Sequence, residues 1–216
     1  RLTVNQLVPG SIPGRGVMNR VEIFPTSIHY TNIGKETSFI KCKSLLDAID
    51  TNEDCFSTKD TLHLEEPFKD LSDTILYHAG KLFDNLGLKR DSEKVVCMWA
   101  NISKAHNKHM LHMHPNSYYS AVVYFTCPQP NPGAFGIKDP RQALMTTWWE
   151  YDRSNEYSDR TKEIVPEEGL LLLFPSWLEH GVQSGNFSKY ERRVSLSCNI
   201  MPQCNIEDFT HRYHYQ

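Results

Sequence analysis

The sequence predicts an α+β fold that is mainly β, in which helices come first and a jelly roll of short strands follows. Apolar residues recur at helical spacing in two segments before Leu88, whereas the chain after Leu88 consists of short apolar or alternating runs separated by Pro, Gly and Asn. Helices followed by many short strands are typical of a β-sandwich or jelly roll with helices packed outside. Because no linker divides the chain, we expect one domain over 1–216, with support in 1–94 and a jelly-roll core in 95–200.

The helical support is predicted from the spacing of its apolar residues. A first helix is expected over residues 38–50 and a longer one over about 67–86, whose apolar stripe should pack in the core. Before them, residues 21–24 and 27–30 have the pattern of a strand that is broken by a turn at Pro25.

The jelly roll is predicted from five short runs and one long connection. The connection, residues 127–146, carries four prolines, and a loop of that length in a compact domain is more often functional than idle. We expect it to form a wall of a substrate cavity, together with one of Trp148 and Trp149, which follow it. The predicted strands are 95–100, 118–126, 143–151, 170–174 and 192–199.

Composition excludes several classes of protein. The formal net charge of −3 provides no basic surface, so we expect no nucleic-acid partner. No run approaches the roughly 18 apolar residues that a membrane span needs, and the first 20 residues lack the apolar core of a signal peptide. The six cysteines are scattered without a CxxC pair, so we expect reduced thiols and a cytoplasmic protein.

A cluster of histidines between positions 106 and 114 predicts a metal site. Residues two apart on a strand share a face, so His112 and His114 can direct both imidazoles into one cavity. Neutral imidazoles on one face suit a divalent metal such as iron, zinc or copper. His106 and His109 are interpreted as surface histidines of a polar loop.

Two later segments carry the remaining polar residues of interest. His180 follows a buried apolar run that ends at Pro175, and it is either a third ligand or a half-buried histidine bonded to backbone. Arg193 and Ser195 share one face of the last strand, which faces either solvent or the cavity of a barrel. In a cavity, the guanidinium would clamp a carboxylate and the hydroxyl would add a hydrogen bond.

In order, the motifs H-x-H-P, G-x-L-x-x-F-P-S-x-x-x-H-x-V and R-x-S-x-S-x-N resemble those of the 2-oxoglutarate- and Fe(II)-dependent oxygenases. They look closest to a bacterial and phage oxygenase family whose motif opens with H-x-H-P. The resemblance covers about residues 99–199. It implies a double-stranded β-helix, a cupin-like jelly roll, that uses Fe(II), 2-oxoglutarate and O₂ to oxidise a small-molecule or peptidyl substrate in the cytoplasm of a bacterium or of a phage host, with release of succinate and CO₂.

The resemblance also implies roles for individual residues. His112 is expected to be the first iron ligand and His180 the distal one, while Arg193 grips the far carboxylate of 2-oxoglutarate beside Ser195. Asn101 and Tyr124 are expected to contact the same co-substrate, although Tyr124 alternatively packs beneath it.

One position departs from the usual pattern of two histidines and one carboxylate. Where most such oxygenases have an acid, two residues after the first histidine, this chain has His114, which we expect to be a ligand because it shares the face of His112. Asp139 and Glu179 are alternative carboxylates, although Glu179, adjacent to His180, should point away from the metal. Two other functions remain open: a cupin-like three-histidine metal enzyme that does not use 2-oxoglutarate, and a non-catalytic jelly-roll binding module.

Overall fold

A computed structural model describes residues 25–141, 150–153 and 158–204. Within these ranges the chain forms helices α1 (Thr37–Asp47) and α2 (Phe68–Asn85) and a short 3-10 turn at Leu62–Leu64. In the described part, no helix has both the length and the apolar character that crossing a membrane requires. The strands are β1 (His29–Asn32), β2 (Cys55–Ser57), β3 (Ser92–Ser103), β4 (His109–His112), β5 (Tyr119–Thr126), β6 (Pro130–Asn131), β7 (Phe135–Lys138), β8 (Thr161–Ile164), β9 (Leu170–Pro175), β10 (His180–Val182), β11 (Asn186–Phe187) and β12 (Arg193–Gln203).

Two antiparallel sheets form the body of the fold. The larger has the order β1-β9-β5-β12-β3-β2 and the smaller the order β4-β10-β7-β8, while β6 and β11 pair separately. Apolar side chains from both sheets pack between them: Tyr124 and Leu172 of the larger sheet lie in one cluster with Phe135 and Ile137 of the smaller. Sequential neighbours such as β4 and β5 lie in different sheets, as expected for a jelly roll.

The helices cover the outer face of the larger sheet. Strand β12 alternates, so Val194, Leu196 and Cys198 join the apolar stripe of α2 in the main core. Both predicted helices are present, with ends that differ from the predicted ones by one to three residues, and the α2 stripe packs in the core as expected.

The prediction of a long loop over 127–146 was wrong in part. Strand β7 lies inside that segment, and within it the buried Phe135 and Ile137 alternate with the less buried Gly136 and Lys138. This period-two pattern is only four residues long, and the surrounding prolines and glycines obscure it. Residues 142–149, with Trp148 and Trp149, and the predicted strand at 21–24 lie outside the described residues.

Candidate metal centre and co-substrate cavity

Three histidines converge where the two sheets open. His112 ends β4, His180 begins β10 directly opposite it, and His114 follows β4 by two residues. One ligand atom from each lies within 4.8 Å of the others, and the Nε2 atoms of His114 and His180 are 3.2 Å apart. Metal–nitrogen bonds of about 2.1 Å place adjacent ligand nitrogens about 3 Å apart, so this spacing suits a shared ion.

Backbone carbonyls fix the tautomer of two of these rings. The Nδ1 atoms of His112 and His180 lie 2.7 Å from the carbonyl oxygens of Met110 and Leu178. Because a carbonyl can only accept, each Nδ1 carries the hydrogen and each Nε2 presents a lone pair. Metal-binding histidines are oriented in this way in known sites.

Burial keeps the imidazoles of His114 and His180 neutral. Burial lowers the pKa of His114 to about 4, with a smaller contribution from His112. Burial also lowers the pKa of His180 to about 4. His180 is 3% exposed whereas His112 is exposed, so the cluster runs from the interior to the mouth. Neutral imidazole is the form that binds a metal, so the site is ready at neutral pH.

No carboxylate of the described residues joins this cluster. Asp139 is held by the guanidinium of Arg141, which also lowers the pKa of the Asp139 carboxyl. Glu179 forms an ion pair with Lys138 at 2.7 Å. Both alternative carboxylates are therefore engaged elsewhere, and in the described chain the only group of three or more metal-ligating side chains is His112, His114 and His180.

Arg193 lies in the cavity beside the histidines, on the side of β12 that faces inward. Its side chain is almost fully buried, and Nη1 donates to the carbonyl of Pro132 at 2.7 Å. No carboxylate among the described residues forms an ion pair with it, and burial lowers the pKa of its guanidinium. Gly133 permits this placement, since a Cβ there would lie 2.4 Å from the Arg193 Nη1.

The other predicted co-substrate residues lie in the same cavity as Arg193. Asn101, Tyr124 and Ser195 all line the same cavity, which also contains the three histidines. The Tyr124 hydroxyl is buried and has no hydrogen-bond partner in the part of the chain that the structure describes. Burial raises the pKa of Tyr124, so its hydroxyl keeps its proton and can donate. A buried cation and a buried, unpartnered donor together form a cradle for an anion.

His109, interpreted from the sequence as a surface residue, also lines the cavity, so that interpretation was wrong. Strand β4 bulges against β10: His112 pairs with His180, yet His109 pairs with Val182, so two residues of β4 lie opposite Gly181. The bulge directs His109 inward although it lies three residues from His112. Gly181 permits the close approach, because a Cβ there would lie 2.7 Å from the His109 carbonyl.

A buried set of hydroxyls supports the His114 segment, and the sequence did not reveal it. The His114 amide donates to the Ser176 carbonyl at 2.9 Å. The Ser176 hydroxyl bonds those of Ser117 and Ser120, and Ser120 in turn donates to Asn199. Ser120 thus links the Ser of F-P-S, which accepts from the His114 amide, to the final Asn of R-x-S-x-S-x-N.

The fold and the site define a jelly-roll protein in which three histidines that could hold a metal ion lie next to a cradle for an anion. Residues 97–199 match the family described as "Putative 2OG-Fe(II) oxygenase". This match covers just under half of the chain and agrees with the resemblance of the motifs to the 2-oxoglutarate- and Fe(II)-dependent oxygenases, which are oxidoreductases. Fe(II), 2-oxoglutarate and O₂ are the cofactor and co-substrates of that family.

Solved structures confirm the double-stranded β-helix. A 2OG-Fe(II) oxygenase family oxidoreductase from Burkholderia pseudomallei is 12% identical, with a TM-score of 0.56 and coverage of 82% of this chain and 86% of that one. HygX from Streptomyces hygroscopicus, with nickel and 2-oxoglutarate bound, is 15% identical (TM-score 0.57; 82% and 83% covered). A Pseudomonas putida prolyl-4-hydroxylase is 10% identical (TM-score 0.54; 83% and 94% covered). No curated protein matches the sequence.

Proposed function

We propose that this protein hydroxylates an organic substrate, small or peptidyl, while converting 2-oxoglutarate and O₂ to succinate and CO₂. The observation that carries the proposal is Arg193, a buried cation that lines the cavity with the histidine cluster and has no carboxylate partner among the described residues. A buried unpaired charge is costly, so an anionic ligand that reaches it is bound strongly. A dicarboxylate that extends from the histidines to this guanidinium satisfies both ends of the cavity.

In this proposal His112, His114 and His180 hold Fe(II), and Arg193 binds the distal carboxylate of 2-oxoglutarate. Bound iron and co-substrate supply the oxidising chemistry. Tyr124 donates its free hydroxyl to the co-substrate, and Asn101 and Ser195 border it.

Apolar rings keep water from the inner part of the site. The ring centroids of Phe174 and Phe135 lie 4.6 Å and 5.3 Å from that of His180. Rings packed against an inner ligand exclude solvent from the reacting centre, which strengthens the electrostatic contacts there. The exposed edge of His112 leaves the other side open for a substrate.

The test is a titration of the Fe(II)-loaded protein with 2-oxoglutarate in the absence of oxygen. We expect a weak visible charge-transfer band, and an Arg193→Ala variant should need about 10- to 150-fold more 2-oxoglutarate to develop it. Arg192→Ala is the matched control, because the adjacent Arg192 donates instead to carbonyls at the end of α1. Succinate formation after oxygen is admitted tests turnover.

Two outcomes would contradict the proposal. Metal binding that is indifferent to 2-oxoglutarate would favour a cupin-like enzyme that does not use it. Failure to bind Fe(II), zinc or nickel at all would favour a non-catalytic binding module.

A further inference from the structure

A row of polar side chains crosses four strands of the larger sheet beside the cavity. Ser57 of β2 lies opposite Asn101 of β3, Asn101 lies opposite Ser195 of β12, and Ser195 lies opposite Tyr124 of β5. Residues directly opposite each other on antiparallel strands project from the same face. Three of the four line the cavity, whereas Ser57 is exposed at the edge of the sheet, outside the cavity lining.

Ser57 contacts the cavity only through its neighbour. Its hydroxyl donates to the Oδ1 of Asn101 at 2.8 Å, and the Asn101 side chain is buried. An asparagine amide has one accepting end and one donating end, so this bond leaves the NH₂ group of Asn101 for the cavity. The next residue holds the strand in register, since Thr58 Oγ1 accepts from the Ala100 amide at 2.9 Å.

The direction of this amide matters because of what surrounds it. The cavity presents the Arg193 guanidinium and the unpartnered Tyr124 hydroxyl, both suited to an anion. With its NH₂ group inward, Asn101 adds a third donor. Turned over, the same amide would direct its carbonyl oxygen at the anion and repel it.

We propose that Ser57 is a positioning residue that fixes the Asn101 amide with its NH₂ group toward bound 2-oxoglutarate. This inference rests on the function proposed above. It assigns to an exposed residue of an edge strand, outside the sequence motifs, a part in the affinity for the co-substrate.

The experiment measures the dissociation constant of 2-oxoglutarate by anaerobic calorimetry on the full chain loaded with Fe(II). Ser57→Ala should weaken binding about three- to tenfold, the range expected for one neutral hydrogen bond, with Fe(II) affinity and melting temperature unchanged. Ser57→Thr keeps a hydroxyl and should bind within about twofold of the unmodified protein. Ser44→Ala is the control, since the Ser44 hydroxyl donates to the Ile40 carbonyl within α1.

A double-mutant cycle shows whether Ser57 acts through Asn101. In an Asn101→Ala background, Ser57→Ala should cause no further loss of affinity. Asn101→Asp keeps an acceptor for Ser57 but replaces the inward NH₂ group by a carboxylate oxygen, so it should bind more weakly than Asn101→Ala.

The possible outcomes distinguish a failure of this inference from a failure of the proposed function. Unmodified protein that does not bind 2-oxoglutarate overturns the proposed function and this inference together. If the unmodified protein binds 2-oxoglutarate, two results would overturn the role of Ser57 alone. In the first, Ser57→Ala binds 2-oxoglutarate as tightly as the unmodified protein. In the second, adding Ser57→Ala to the Asn101→Ala variant weakens binding further.

Discussion

On β12, Val194 and Leu196 are fully buried against the helices, whereas Arg193, Ser195 and Ser197 on the same strand line the cavity. The side chains on the helix face are apolar, and other side chains of the same chain pack against them. Within the described ranges, the cavity face holds a buried guanidinium that pairs with no carboxylate and a tyrosine hydroxyl that has no hydrogen-bond partner. The helix face of the larger sheet therefore contributes stability, whereas the cavity face, besides the apolar residues that pack between the two sheets, holds polar groups whose partners must come from a ligand.

A substitution on the helix face should cause the largest loss of folding stability and should leave the affinity for 2-oxoglutarate unchanged. Leu196→Ala removes a fully buried side chain between β12 and the helices, so we expect a loss of about 2–5 kcal/mol of unfolding free energy. Urea unfolding measures the loss, and the affinity of folded protein for 2-oxoglutarate should stay within about twofold. Val96→Ala, on a partly exposed β3 position, is the control that should change little. A matching fall in affinity would mean that the two faces are coupled.

Removing a buried histidine of the cluster should instead affect metal binding more than folding stability. His180→Ala should lower the affinity for a divalent metal more than about 100-fold, because changing even an outer contact of a metal ligand costs about 10- to 100-fold. The rise in melting temperature on adding Fe(II) or nickel should disappear. His78→Ala, on α2, provides the control on the helix side. A variant that still gains stability from metal would show that His180 is not a ligand.

Arg193→Met tests the cavity face most directly. The affinity for 2-oxoglutarate should fall about 10- to 150-fold. Thermal stability should stay equal or rise, since an apolar side chain of similar length replaces a buried cation that has only carbonyl partners. A substitution that weakens binding and stabilises the fold is the reverse of Leu196→Ala. Strong destabilisation would instead show that Arg193 has a structural role.

The alternation along β12 is also why the sequence predicted this strand and its two faces. The pattern of Arg193, Val194, Ser195 and Leu196 is regular, and registers with β3 and β5 follow it over most of its length. His109 was missed because it enters the cavity through a bulge, and a period-two argument assumes that no residue is inserted.

Other parts of the site depend on pairing that the sequence does not contain. Ser57 lies on a three-residue edge strand, and its importance comes from lying opposite Asn101, 44 residues further along the chain. Ser176 and Asn199 meet through Ser120, which belongs to a third strand. Periodicity predicts which face a residue occupies, but not which strands become neighbours.

Lowering the pH should reduce folding stability through the buried histidines of the cavity and not through the apolar contacts of the helix face. The pKa values of His114 and His180 are about 4 in the folded metal-free protein and near 6.5 in the unfolded chain. Between those pH values the unfolded state binds more protons, so stability is complete above about pH 6.5 and falls as pH is lowered toward 4. We expect the free energy of unfolding to fall by on the order of 2 kcal/mol. This is less than the full pKa shifts would give, because solvent reaches the open side of the cluster. Urea unfolding measured from pH 7 to pH 4 checks it.

Two variants separate the two faces in that titration. His180→Asn should flatten the pH profile, because one of the two buried groups no longer titrates. Leu196→Ala should lower stability by the same amount at pH 7 and pH 5, since it removes only apolar contacts. An identical slope for His180→Asn and the unmodified protein would contradict the assignment.

The smallest expected effect is that of a single oxygen atom on the cavity face. Tyr124→Phe removes the hydroxyl that is buried without a partner, so unfolding free energy should stay equal or rise slightly, by up to about 1 kcal/mol. The same change removes a donor to 2-oxoglutarate and should weaken its binding about two- to tenfold by calorimetry. Tyr190→Phe, at a highly exposed position, should alter neither quantity. If Tyr124→Phe binds 2-oxoglutarate normally, the ring packs beneath the co-substrate and its hydroxyl is not a ligand contact.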